Sequence, residues 1–208
     1  MNFQNLLAKH EQETKDLVWW SPTQQARGEH LENNPAKGER AWSIPKATGE
    51  FLHAWILEHR PTHVLELGTS LGYSTLWIAH ALETYGGTLV TLEKQDYKQV
   101  IAKNYITEAH LDSVVTFYQG MILDIFNRPD FFTDHPLFDF VFMDADRGHY
   151  HEYFPVMEPH LAPHTTIIVD NAGNMSDRMQ LFLKLLDERG WKYEILNFDN
   201  GILVATKK

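Results

Sequence analysis

The chain has 208 residues, of which 43% are apolar and 12% aromatic, enough for one domain with a hydrophobic core. It carries 18 Lys and Arg against 28 Asp and Glu, and this net charge of −10 argues against a nucleic-acid binder with a broad basic surface. It contains no cysteine, which excludes disulfides, thiolate metal sites and cysteine nucleophiles. No signal-peptide core and no run of about 18 apolar residues occurs, so we expect a cytoplasmic protein without membrane partners.

The first part of the chain, residues 1–40, is polar around a single apolar island, Leu17 to Trp20. Adjacent tryptophans need a surface to bury against, so we interpret residues 1–40 as an N-terminal appendage, a lid or a dimer contact. Packing of the island within the monomer is an open alternative. Residues 41–208 are predicted to form the main domain.

From residue 41 onward, short apolar runs alternate with amphipathic stretches, a pattern typical of βα units and an α/β fold with a mostly parallel sheet. Helices are predicted over residues 71–82, from Asp96, and from an N-cap at Ser176 to just before Gly190, with a short or kinked helix within residues 147–161. The last two strands flank an Asn-Gly turn, so a hairpin should end the sheet with an antiparallel strand. The predicted strands are Thr62 to Leu67, Thr88 to Leu92, Val114 to Tyr118, Phe138 to Met143, Thr165 to Val169, Tyr193 to Phe198 and Ile202 to Thr206.

The turn after the first predicted strand has glycines at 68 and 72, which let the backbone bend and approach a ligand at the start of the next helix. Ser70 stands where a dinucleotide fingerprint has its central glycine, which disfavours NAD or FAD. Glu93 ends the second strand, where a carboxylate can accept hydrogen bonds from both ribose hydroxyls. Together these residues indicate a nucleoside-bearing ligand without a pyrophosphate, such as S-adenosylmethionine. An exposed strand-end carboxylate is the alternative for Glu93.

Polar residues also follow the fourth and fifth predicted strands. Asp144 comes after the fourth strand, and Asp170 and Asn171 come after the fifth. Carboxylates at one edge of a sheet repel each other unless they are protonated or bridged by a cation. Two aspartates and an asparagine suit a hard divalent ion, Mg²⁺ first, with Ca²⁺ or Mn²⁺ possible. Capping of the following helices is the alternative role.

Four segments in this order, ELGTSLGYS, TLEK, FDFVFMDADRGHY and VDN, resemble the cation-dependent class I O-methyltransferases, the family of catechol and caffeoyl-CoA O-methyltransferases. The resemblance covers roughly residues 41–206. It implies a single Rossmann-like class I methyltransferase domain over residues 41–208. That domain would have a seven-stranded, mostly parallel sheet with an antiparallel last strand and helices on both faces, and it would form a homodimer.

The resemblance also implies site residues. Those expected to bind S-adenosylmethionine are Ile44, Glu66, Gly68, Thr69, Ser74, Glu93, Ile122 and Asp144. Asp144, Asp170 and Asn171 match the metal ligands, and Asp144 and Arg147 would be the catalytic residues.

One departure from the family concerns Arg147, which stands where many relatives have a lysine that accepts the proton of the substrate. A guanidinium stays protonated, so Arg147 cannot be a general base, although it can stabilise an anionic oxygen. Asp146, His149 and His151 are alternative bases. Trp42, Tyr73 and Trp77 are candidates for the wall of an aromatic acceptor pocket.

The predicted function is an S-adenosylmethionine-dependent O-methyltransferase. It would act on a hydroxyl of a small, catechol-like aromatic acceptor, with a divalent cation assisting. The alternatives are a tRNA hydroxyuridine O-methyltransferase, a protein that binds S-adenosylmethionine without transferring methyl, and a nicotinamide dehydrogenase.

Overall fold

The computed structural model describes residues 2–15, 18–19, 39–40, 43–173 and 177–207. Leu17, Trp20 and Trp42, and the N-cap predicted at Ser176, lie outside these residues. The helices are α1 Phe3–Thr14, α2 Lys46–His59, α3 Tyr73–Glu83, α4 Asp96–Glu108, α5 Ile122–Phe126, α6 Tyr150–Met157 and α7 Asp177–Glu188. The strands are β1 Val18–Trp19, β2 Glu39–Arg40, β3 His63–Leu67, β4 Thr88–Glu93, β5 Val115–Gln119, β6 Phe138–Met143, β7 Leu161–Val169, β8 Trp191–Leu196 and β9 Ile202–Lys207. None of these helices combines the length and the apolar character that a bilayer crossing needs.

The main sheet has seven strands in the order β5-β4-β3-β6-β7-β9-β8. Strand β9 is antiparallel to both β7 and β8, while the remaining pairs are parallel. Buried clusters cover both faces of the sheet, with alternate residues of β3, Val64 and Leu65, belonging to different clusters. The predicted Rossmann-like architecture with one reversed strand is therefore confirmed.

Strand β7 begins earlier than predicted, at Leu161 instead of Thr165. The pairing with β6 shifts between Phe138 and Phe140, so that extra residues of β7, including Pro163, are accommodated in an irregular stretch. The Thr165 hydroxyl donates to the carbonyl of Phe138 at 2.8 Å and closes this stretch. The irregularity lies at the start of the strand, so the register at its carboxyl end is regular.

The strand order determines where a ligand can bind. The chain passes from β3 to β4 and β5 on one side and then returns to place β6 on the other side of β3. The crevice outside the carboxyl ends of β3 and its neighbours is the place where open α/β sheets bind ligands. The loops after β3, β4, β6 and β7, which carry most of the predicted site residues, all meet there.

Helix α1 lies within the stretch predicted as an appendage, and it packs against the main domain. Leu6 and Leu7 are buried in the cluster that also contains residues of α3 and α4. Lys9 forms an ion pair with Glu108 of α4 at 2.6 Å. This part of residues 1–40 therefore belongs to the core of the monomer.

His10 of α1 provides a prediction about the pH dependence of stability. The side chain is fully buried, and burial lowers its pKa below the ordinary value. Below about pH 6.5 His10 binds a proton more readily in the unfolded chain than in the folded chain. The free energy of unfolding should therefore fall as the pH falls. In urea titrations between about pH 7.5 and about pH 5.5, the free energy of unfolding of the wild type should fall relative to that of His10→Gln.

The comparison isolates His10 because other buried groups contribute equally to both proteins. His164→Gln, which replaces an exposed histidine, is the control for the substitution itself. A constant difference between wild type and His10→Gln over this range would show that His10 titrates as a hydrated histidine.

Candidate active site

A cavity of about 510 Å³ opens at the carboxyl ends of β3, β4, β6 and β7. It contains most of the residues singled out from the sequence. The predicted residues that line it are Gly68, Glu93, Ile122, Asp144, Arg147, Asp170 and Asn171. Ile44, Glu66, Thr69 and Ser74 do not line it, although Ser43 and Pro45 beside Ile44 do.

The loop from Gly68 to Gly72 follows β3 and forms one wall; we call it the cofactor loop after the role predicted for Gly68 and Thr69. Gly68 has a φ of +101°, and a Cβ at this position would lie 2.3 Å from the carbonyl oxygen of Asp144. Only glycine therefore lets the ends of β3 and β6 approach so closely. The Ser70 N–H donates to Glu93 Oε2 at 2.8 Å, which joins the loop to the end of β4.

Ser70 is a cavity residue that the sequence reasoning did not assign to the site. It has a φ of +46°, an uncommon conformation for a residue with a side chain. Its hydroxyl is buried without a hydrogen-bond partner among the described residues, and Ser70 lines the cavity. A buried donor without a partner costs free energy unless a ligand or water satisfies it. The available sequence signal was the position of Ser70 between the two glycines.

Glu66 lies beneath the cofactor loop and is completely buried. Its carboxylate accepts hydrogen bonds from the hydroxyls of Ser74, Thr75 and Thr91, each at 2.6 Å. Burial raises its pKa, while these three hydrogen bonds act in the opposite direction. The Thr69 hydroxyl joins the network through Thr91 at 2.5 Å. In this structure Glu66, Thr69 and Ser74 support the loop from behind the cavity wall.

Glu93 is nearly buried at the end of β4 and presents its carboxylate to the cavity. Oε2 accepts the Ser70 N–H, and Oε1 accepts the Gln95 N–H at 2.9 Å. These two bonds fix the orientation of the carboxylate. Each carboxylate oxygen can accept a second hydrogen bond, so Glu93 can still accept a pair of hydroxyls.

The opposite side of the cavity is acidic. Asp144 donates its N–H to Leu67 at 2.9 Å, and Asp170 donates to Met143 at 3.1 Å, which places the two aspartates at neighbouring strand ends. Burial, assisted by the charges of Asp170 and Glu66, raises the pKa of Asp144 to about 8. Burial also raises the pKa of Asp170. The ionised pair is therefore costly without a neighbouring positive charge.

Asn171 completes this acidic edge with a φ of +56°. Its Nδ2 donates to Asp170 Oδ2 at 2.7 Å, and its Oδ1 accepts from Asn200 Nδ2 at 3.1 Å. Because amide oxygen and nitrogen are exchanged by a simple flip, Asn171 can turn either atom toward Asp170. Two carboxylates and an amide form an oxygen donor set that fits a hard cation. Within the described ranges, no cluster of three or more His, Cys, Asp or Glu forms a metal site, so such a set depends on Asn171.

Arg147 lies between this cavity and a second one of about 630 Å³, and it lines both. Its Nη1 donates to the backbone carbonyl of Asn171 at 2.7 Å. Its positive charge opposes the upward shift in the pKa of Asp144 and of Asp170. The guanidinium is therefore a fixed cation beside the acidic edge.

The alternative bases named from the sequence occupy different places. Asp146 and His149 line the cavity, but Asp146 accepts hydrogen bonds from the Gly148 N–H at 2.9 Å and from His149 Nδ1 at 3.0 Å. His151 does not line the cavity, and its Nε2 lies 3.7 Å from Glu152. Asp146 and His149 thus form a hydrogen-bonded pair at the cavity rim, and Asp146 is also bonded to the backbone.

Of the three aromatic residues proposed as an acceptor wall, Trp42 lies outside the described residues, and Tyr73 and Trp77 lie away from the cavity. Tyr73 and Trp77 are buried, and neither lines the cavity. The Tyr73 hydroxyl donates to Glu11 of α1. Tyr153 of α6 and Met121 line the cavity instead, and the sequence pattern gave no reason to separate Tyr153 from the core residues around it.

Comparisons with known proteins identify the family to which this chain belongs. The family model for O-methyltransferases matches residues 29–174. A catechol O-methyltransferase from Niastella koreensis is 37% identical over 134 residues, covering 64% of this chain and 60% of that protein. Catechol O-methyltransferase B from Danio rerio is 34% identical over 135 residues, covering 64% and 51% respectively. The chain thus spans less than two thirds of either relative.

A solved structure has a similar fold over the full length of this chain. The O-methyltransferase from Bacillus cereus, determined in complex with SAH, superposes with a TM-score of 0.71 at 26% identity and covers 100% of both chains. On the strength of the family match, the present chain belongs to the O-methyltransferase family.

Proposed function

We propose that this protein is an S-adenosylmethionine-dependent O-methyltransferase. It acts on a hydroxyl of a small, catechol-like aromatic acceptor with the help of a divalent cation, for which Mg²⁺ is the first candidate. One observation carries the proposal: Glu93 and the cofactor loop share a single cavity with Asp144, Asp170 and Asn171. Such a cavity can bring a methyl donor and a hydroxyl acceptor together. The names of the relatives from Niastella koreensis and Danio rerio support a catechol-type acceptor.

The wall with Glu93 suits the nucleoside part of the methyl donor. The Glu93 carboxylate, fixed by two backbone N–H groups, would accept the ribose hydroxyls. Met121 and Ile122 provide an apolar surface for the adenine. Gly68 and Ser70 would lie against the methionine part, where the Ser70 hydroxyl has no partner among the described residues.

The reaction is an in-line displacement. The methyl carbon leaves the sulfonium sulfur, which keeps the electron pair, and bonds to the acceptor oxygen, whose proton passes to solvent water. Alignment of the oxygen with the methyl group supplies much of the rate increase. Asp144, Asp170 and Asn171 would hold the cation, and a bound cation lowers the pKa of a hydroxyl and orients it.

Arg147 would contribute positive charge where the acceptor oxygen becomes negative. It lines the cavity beside the acidic edge and is held by the Asn171 carbonyl at 2.7 Å. We therefore expect Arg147→Met to lower kcat about a hundredfold, the scale of one lost oxyanion-stabilising group. Arg147→Lys, which keeps the charge, should stay within about tenfold of the wild type. Equal rates for Arg147→Met and the wild type, measured at saturating S-adenosylmethionine, would remove Arg147 from the mechanism.

The proposal is tested by measuring S-adenosylhomocysteine formation with a panel of catechols, with and without Mg²⁺. Mg²⁺-dependent turnover of a catechol is the expected result. A tRNA substrate run in parallel tests the nucleic-acid alternative. Tight S-adenosylhomocysteine binding without turnover of any acceptor would contradict methyl transfer and favour a binding protein.

The proposal includes the organisation of the protein. We propose a cytoplasmic homodimer in which residues 1–40, apart from the packed helix α1, act as a lid or a dimer contact for a methyltransferase domain over residues 41–208. The docking of α1 beside the cofactor loop supports a role for the first residues near the site. Light scattering of the full chain, compared with a chain lacking residues 16–40, would test the dimer contact.

A further inference from the structure

His10 connects α1 to the cofactor loop. Its Nε2 lies 2.9 Å from the backbone carbonyl oxygen of Leu71. The Leu71 carbonyl lies just before α3 and accepts none of its backbone hydrogen bonds. The first of these runs from the Leu76 N–H to the Gly72 carbonyl at 2.9 Å. Among the residues that the structure describes, His10 is therefore the sole hydrogen-bond partner of the Leu71 carbonyl.

The surroundings of His10 determine which ring nitrogen carries the proton. The ring is fully buried, with ring centroids 5.2 Å from Tyr73 and 4.5 Å from Tyr105. Burial lowers its pKa, so the ring is neutral near pH 7 and has one N–H. A carbonyl oxygen only accepts hydrogen bonds, so the proton lies on Nε2.

The cofactor loop needs support because its backbone is unusual. Ser70 has a φ of +46°, and such conformations persist where the surrounding structure fixes them. From the cavity side, Glu93 binds the Ser70 N–H at 2.8 Å. From the opposite side, His10 binds the Leu71 carbonyl. Consecutive residues of the loop are thus held from two directions.

We propose that His10 is a positioning residue for the methyl donor. Its Nε2–H holds the Leu71 carbonyl and thereby sets the loop whose Gly68 and Ser70 line the cavity. His10 itself does not line the cavity, so its effect passes through the loop. This inference rests on the proposed function, and it makes α1 a part of the cofactor site.

The test compares two substitutions of similar size in the full chain. His10→Gln keeps an N–H near the position of Nε2, and His10→Met removes it. Lys9→Met is the matched control, because it removes the ion pair with Glu108 and leaves the Leu71 contact intact. The measurements are the Kd for S-adenosylhomocysteine by calorimetry, kcat at saturating cofactor, the Tm, and hydrogen exchange of residues 69–72 without ligand.

For His10→Met we expect the Kd to rise about tenfold, the scale of one buried hydrogen bond, with kcat within about threefold of the wild type. Exchange over residues 69–72 should accelerate. His10→Gln should restore the Kd to within about threefold, and Lys9→Met should change it less than about twofold.

Wild-type affinity and unchanged loop exchange in His10→Met would overturn the inference, as would equal losses of affinity in His10→Met and Lys9→Met. The loop exchange also separates this inference from the proposed function. If the wild type binds no S-adenosylhomocysteine while exchange still accelerates in His10→Met, the proposed function fails and the support of the loop by His10 stands.

Discussion

Replacement of Asp170 by alanine should reduce Mg²⁺-dependent methyl transfer at least about a hundredfold, while S-adenosylhomocysteine binding stays within about threefold of the wild type. Asp170 lies on the acidic edge and makes no hydrogen bond to Glu93 or to the cofactor loop among the contacts of the described residues. Its loss should therefore impair the hydroxyl end of the cavity and spare the nucleoside end. Initial rates with and without Mg²⁺, together with calorimetric binding, distinguish the two ends.

Two controls accompany this prediction. Asp130→Asn alters an exposed carboxylate outside the cavity, and it should keep more than about a third of the activity. Asp170→Asn tests whether the Asp170 charge destabilises the folded protein. Burial raises the pKa of Asp170, so its ionised form opposes folding near neutral pH when no cation is bound. In EDTA the Tm of Asp170→Asn should equal or exceed that of the wild type. Mg²⁺-dependent turnover retained in Asp170→Ala would contradict the proposed cation site.

Gly68→Ala should have the largest effect on both folding and binding. The new Cβ would lie 2.3 Å from the Asp144 carbonyl oxygen, and the φ of +101° is itself unfavourable for alanine. A backbone atom cannot move aside as a flexible side chain would, so the ends of β3 and β6 must separate. We expect the free energy of unfolding to fall by about 3 kcal/mol or more, and S-adenosylhomocysteine binding to be lost.

Gly190→Ala separates the cost of the steric contact from the cost of the unfavourable backbone conformation. Gly190 has a φ of +76°, but a Cβ there would meet no atom within 4 Å. It should therefore show the backbone cost alone, about 1 kcal/mol in urea titrations, with wild-type binding. Equal destabilisation by the two substitutions would mean that the contact between Gly68 and Asp144 is not tight in the folded protein.

Much of the fold could be predicted because its signals are local. Alternating apolar runs marked the strands, and the Asn-Gly pair marked the final hairpin. The irregular start of β7 could not be predicted, since it depends on how Pro163 and Thr165 meet β6. β8 also ends earlier than predicted, because Phe198 is used in the turn that closes on Gly201 at 2.8 Å.

The part of the site formed by charged or polar residues at strand ends could be predicted, because the residue type and its position indicate the chemistry. Asp144, Asp170 and Glu93 are such residues, and all of them line the cavity. The sequence does not reveal whether a polar side chain faces a ligand or supports the wall behind it, as Glu66 does with three hydroxyl partners. The contact of His10 with Leu71 was also invisible, because it joins residues 61 positions apart.

The position of β9 makes the sheet depend on its last strand. β9 lies between β7 and β8, so it supplies hydrogen bonds to both neighbours, and among the described residues β8 has no other partner in the sheet. The carbonyl of Gly201, just before β9, also accepts the Ala172 N–H at 2.8 Å, next to Asn171. A chain that ends at residue 200 would lose two strand interfaces and an anchor of the acidic edge together. Folding of this half of the sheet should therefore be a single cooperative event that waits for β9.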